Sequence, residues 1–132
     1  MTRPGNYSPG YLHLTRAQWA KRMDQAWTEV ASGAIAACIQ IGLELIAAKR
    51  ELAHGEFLKM VERDLPFGPR TARRLMAIAR DDRLTNPNIM PALPPSWRTL
   101  YELTRLDIDH FDDLLSRGVI HPVMQRKEIG GP

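Results

Sequence analysis

Residues 33–43 hold a single polar side chain, Gln40. A helix that is apolar almost all round cannot lie on a surface, so other elements must cover it on most sides. The apolar spacing continues beyond this run through Leu45, Ile46 and Leu52, joining Ile35, Cys38, Ile39 and Gly42 at three- and four-residue steps. The sequence therefore predicts a long central helix over about 34–53. Gly42 would let a second helix approach its backbone closely. The stretch stops at Glu44, well short of the roughly 20 apolar residues a membrane helix needs, so no membrane span is expected. His54-Gly55 should end the helix, with Gly55 as its left-handed cap.

The remaining segments have to supply the cover, and they too carry helical spacing. Thr15 is placed as an N-cap with Gln18 three residues on, in capping-box position. Trp19, Met23, Ala26, Trp27 and Val30 follow on one face, until Ser32-Gly33 interrupts. A short third helix is expected over about 56–63, with Phe57, Leu58 and Val61 inward. Residues 64–68 form a connection in which Pro66 stops the helix and Gly68 permits a turn. Pro69 suits the first position of a fourth helix running to about 80–82. Residues 85–95 carry Pro87, Pro91, Pro94 and Pro95 and read as a loop, pinned to the core by Ile89, Met90 and Leu93. Ser96 and Asp107 are placed to cap a fifth and a sixth helix. Trp97, Leu100, Tyr101 and Thr104 line one side of the fifth. Ile108, Phe111, Leu114 and Leu115 face inward on the sixth, and Gly118 ends it. No β-alternation of useful length occurs. The expected fold is all-α: a compact bundle of about six helices containing a helix-turn-helix-like unit at 56–80. Residues 1–14, broken by proline and glycine and offering Arg3, Tyr7, Tyr11 and His13, read as a flexible arm. Residues 15–120 form the single domain, and 121–132 a flexible tail.

Several chemistries find no footing. With one cysteine, Cys38, there is neither an internal disulfide nor a paired-cysteine zinc motif. That suits a small core residue in a reduced, cytoplasmic chain. Glu51 and His54 have the spacing of half a di-iron motif, but no second half exists. Asp109, Asp112 and Asp113 around His110 sit where aspartates serve a helix dipole. Nucleophile-elbow, phosphate-loop and dinucleotide motifs are lacking. The expectation is no enzyme, no cofactor, no metal and no small-molecule substrate.

Charge is informative through its placement. The net charge of +3 is only mildly basic, yet residues 69–80 hold four arginines and no acid. On a helical wheel Ala72, Leu75, Met76 and Ala79 share one arc. Arg70, Arg74 and Ala77 take the opposite arc, with Arg73 beside them and Arg80 at the edge. Two short helices joined by a turn, the second basic outside, form a helix-turn-helix pattern. In that geometry the second helix enters the major groove of double-stranded DNA. Arginine forks can bind guanine O6 and N7 together, or phosphate bidentately. Arg70, Thr71, Arg73, Arg74 and Ala77 are the expected base contacts. Lys49, Arg50, Lys59, Arg63 and Arg80 are the expected phosphate contacts, with Arg83 a further candidate. Residues 96–118, with three arginines against five acids, should face away from DNA or bind a basic partner. The alternative is a helical adaptor or inhibitor module whose basic helix docks an acidic protein. A homodimer through helices 15–53 is expected, because these carry more apolar surface than a small bundle needs.

The runs Ile41-Gly42-Leu43-Glu44-Leu45-Ile46-Ala47-Ala48-Lys49, His54-Gly55-Glu56-Phe57 and Arg70-Thr71-Ala72-Arg73-Arg74-Leu75-Met76 resemble a family of small bacterial proteins. That family is borne on phages and mobile elements and is mostly catalogued as a domain of unknown function. The helix-loop-helix also resembles the DNA-binding part of ParB-like partition proteins. The likeness covers 41–80 well and 94–103 moderately. It implies a helical fold and DNA binding, as a regulator or accessory factor of a mobile element. It implies no catalytic residue, and the nucleotide-binding motifs of the ParB-like proteins are absent.

Overall fold

The computed structural model describes residues 14–31 and 33–124. Arg3, Tyr7, Tyr11, His13, Ser32 and the tail beyond Met124 lie outside the described residues. The described chain is all helical, with six α-helices: α1 (Arg16–Ala31), α2 (Ile35–Glu51), α3 (His54–Lys59), α4 (Pro69–Arg80), α5 (Trp97–Thr104) and α6 (Ile108–Ser116). A π turn, Met60–Asp64, extends α3, and a 3-10 turn, Met90–Ala92, sits in the proline-rich loop.

α2 is the hub. It packs on α1 and on α4, and α4 in turn packs on α5. Ile41, Leu45, Ala48 and Cys38 of α2 are fully buried, as are Trp19 and Met23 of α1 and Leu75 and Ile78 of α4. Gly42 sets the α2–α4 approach. A Cβ there would lie 2.3 Å from the Leu75 carbonyl oxygen and 2.6 Å from the Ala79 Cβ. The close helix approach expected at Gly42 is thus made by α4.

Four of the predicted caps form. Thr15 N–H donates to Gln18 Oε1 at 2.8 Å, and Gln18 N–H returns a bond to Thr15 Oγ1 at 3.1 Å. Ser96 Oγ accepts from Thr99 N–H, and Asp107 Oδ1 from His110 N–H. Gly118, at φ +74°, follows α6. There Val119 N–H reaches Leu114 O and Gly118 N–H reaches Leu115 O, the paired bonds of a left-handed glycine cap. Beyond it, Ile120 and Met124 are buried.

Gly55 does not behave as expected. The chain leaves α2 through two extended residues, Leu52 (φ −85°, ψ 150°) and Ala53 (φ −58°, ψ 147°), and α3 begins at His54. Gly55 therefore lies inside α3, and among described glycines only Gly33 and Gly118 have positive φ. Extended residues make the corner that a left-handed residue would otherwise make. α3 thus starts two residues before the predicted 56.

Two contacts fasten the α3–α4 connection to α1. Trp27 and Phe67 meet with ring centroids 4.9 Å apart. Arg16 Nε donates to Asp64 Oδ2 at 2.7 Å, with Glu56 Oε2 3.7 Å from its Nη1. Burial pushes the Cys38 thiol up to about 11, from an ordinary 9.0. Keeping the thiol neutral contributes stability below pH 9, which is lost as pH rises toward 11. At pH 8 a thiol reagent is expected to modify Cys38 only as fast as the chain unfolds. Labelling at the rate of free cysteine in the folded protein is the contrary result.

Candidate nucleic-acid interface

α4 divides its residues sharply. Ala72, Leu75, Met76, Ile78 and Ala79 are buried against α2 and its neighbours. Arg70, Arg73 and Arg80 are exposed, while Thr71, Arg74 and Ala77 are half-buried. The wheel placed the inner face well, apart from Ile78, which is also fully buried. Pro69 begins the helix, as its fixed φ and missing N–H allow.

The arginines do not stand on a bare convex rod. Arg70, Arg73, Arg74 and Ala77 form one wall of an open basin of about 520 Å³, and Tyr101 of α5 and Arg105, the C-cap of that helix, form the other. The Arg74 guanidinium lies over the Tyr101 ring, 4.8 Å from its centroid. Such stacking fixes the plane of the fork while leaving its N–H edges available. Among the described residues Arg70, Arg73 and Arg74 have no ion pair. Arg105 has a distant one, 3.9 Å to Glu102 at the rim. Four guanidiniums thus line one concavity, and none of its lining residues is acidic. Their mutual repulsion makes that concavity a seat for anions.

Sequence reasoning missed Tyr101 and Arg105. It places Tyr101 only on one side of the fifth helix and sets 96–118 as a whole facing away from DNA. The segment divides instead. Tyr101 and Arg105 turn toward α4, while Asp107, Asp109, Asp112 and Asp113 belong to α6 and its cap. The i, i+4 spacing of Tyr101 and Arg105 was the available signal.

The expected phosphate contacts are scattered. Lys49 shares with Arg73 a groove of about 260 Å³ between α3 and α4. Arg50, Lys59, Arg63 and Arg80 are exposed around the unit. Arg83 is not a surface cation. Its Nε and Nη2 donate to the two carboxylate oxygens of Asp81 at 3.0 and 2.8 Å, and its Nη1 donates to the Leu106 carbonyl at 2.8 Å. The guanidinium also lies 4.6 Å from the Phe111 ring centroid. Its hydrogen bonds to Asp81 hold its pKa above the ordinary arginine value. These partners engage Arg83 within the fold, and Arg83 in turn occupies both carboxylate oxygens of Asp81.

Among the described residues no three histidine, cysteine, aspartate or glutamate side chains converge to hold a metal ion. No described helix is long and apolar enough to cross a membrane. Searches of curated proteins and of solved structures found no match to the chain. Residues 15–93, from the α1 cap to the end of the 3-10 turn, match the family described as a protein of unknown function (DUF3102), and the chain belongs to that family.

Proposed function

We propose that the protein binds double-stranded DNA, with α4 as the recognition helix of a helix-turn-helix-like unit formed with α3. The observation that carries this reading is the acid-poor basin of Arg70, Arg73, Arg74 and Arg105 around Tyr101. In this reading Arg70 and Thr71, in the first turn of α4, meet base edges together with Arg73, Arg74 and Ala77. The basin between α4 and α5 takes a phosphate strand, and Lys49, Arg50, Lys59, Arg63 and Arg80 hold neighbouring phosphates. The likeness of residues 41–80 to phage- and mobile-element-borne proteins, and of the helix-loop-helix to ParB-like DNA-binding units, supports a role as regulator or accessory factor of such an element.

Fluorescence anisotropy with a labelled duplex tests this. Binding is expected to weaken steeply between about 50 and 200 mM salt. Arg70→Ala/Arg74→Ala should weaken it by at least tenfold at low salt and relax its preference between sequences, as loss of base contacts requires. Equal binding by parent and variant would sink the proposal. The α3–α4 groove, where Leu58 is 43% exposed beside Lys49 and Arg73, favours a second reading, an adaptor for an acidic amphipathic segment. That reading gains if no duplex binds at low salt.

A further inference from the structure

Glu44 is buried at 5% exposure, an uncommon place for a carboxylate. Arg22 of α1 meets it, donating from Nε at 3.0 Å and from Nη2 at 2.6 Å, both to Oε2. Oε1 is sealed from solvent and has no hydrogen-bond partner. A buried acceptor without a donor is costly. Glu44 also helps to line an open concavity of about 360 Å³ on α2, with Ala36, Ile39, Gln40, Leu43 and Ala47. Steps of four, three and four residues place Ala36, Gln40, Leu43 and Ala47 in one stripe. Leu43 in that stripe is 51% exposed.

We infer that a second copy of this chain occupies the stripe, its α2 running antiparallel. The stripe fits its own reverse. With a two-fold axis between positions 41 and 42, Ala36 faces Ala47 of the other copy, and Gln40 faces Leu43. Small residues at both ends let the helices close, and each leucine lies along a glutamine stem. Glu44 then falls opposite Ile39 of the second copy, one step from Gln40. The Gln40 amide is the donor that would satisfy Oε1 once the carboxylate turns out toward the second copy. A parallel pair would instead set each Glu44 near its own copy and supply no donor. No α4 residue takes part, so this inference stands apart from the DNA reading.

Analytical ultracentrifugation of the full chain at tens of micromolar should give a dimer. Leu43→Glu should raise its dissociation constant roughly a hundredfold or more with an unchanged far-UV spectrum, because the side chain is half-exposed in the single copy. Orientation is read by oxidative crosslinking, with Cys38 silent in the core. Ala36→Cys mixed with Ala47→Cys should form an interchain disulfide. Ala36→Cys alone should not, since antiparallel helices hold the two copies of position 36 about 16 Å apart along the axis. A monomer at all concentrations, or a dimer indifferent to Leu43→Glu, overturns the inference. Efficient crosslinking of Ala36→Cys alone overturns the antiparallel pairing.

Discussion

Replacing Arg83 by alanine is expected to remove about 3 kcal/mol of stability, the cost of stranding a buried partner charge, or a fall in Tm of roughly 10 °C. The Asp81 carboxylate, 10% exposed, would lose its counter-charge. The carbonyls of Thr104 and Leu106, just past or at the end of α5, would lose a donor at 3.3 and 2.8 Å. Phe111 would lose the cation over its ring. Arg83→Lys should recover less than half, because one ammonium cannot replace a planar fork that reaches a carboxylate and two carbonyls together. Adding Asp81→Ala to Arg83→Ala should restore part of the loss, since the stranded charge goes with it. Denaturant melts of the four proteins decide this. A loss below about 1 kcal/mol for Arg83→Ala, the range of an exposed pair, refutes the structural role.

The second large effect is at Gly42. An added methyl there meets α4 backbone rather than a flexible side-chain tip, so the helices must separate. Gly42→Ala is expected to cost about 2 kcal/mol, overpacking outweighing the better helix propensity of alanine. Gly55→Ala is the matched comparison. It too lies in a helix, but nothing stands within 4 Å of its added Cβ, and a gain of about 0.5 kcal/mol is expected from propensity alone. Thermal melts should therefore move in opposite directions. A shift in the same direction for both variants would show that the α2–α4 contact does not limit the packing.

What could be read from the chain was what depends on near neighbours. The caps at Thr15, Ser96, Asp107 and Gly118 act across three to five residues, and all four form. The inner face of α4 follows from its own spacing. The long-range partners were hidden. Arg22 and Glu44 stand 22 positions apart, and Arg83 and Leu106 stand 23 apart. Nothing local marks Arg22 as the mate of a buried acid, or separates Arg83 from the exposed arginines that precede it. Gly55 misled because glycine fits a left-handed cap and a helix interior alike, and the extended geometry at Leu52 and Ala53 carries no strong signature. Tyr101 and Arg105 were missed because a basin needs two walls, and only the α4 wall was rich enough in arginine to stand out.

The family match covers only one of those two walls. The α4 wall lies within residues 15–93, the stretch matched by the family, and the α5 wall lies beyond it. Substitution at Tyr101 or Arg105 thus alters the basin without touching the Gly42 crossing, so the charge of the concavity and the packing of the scaffold can be changed separately.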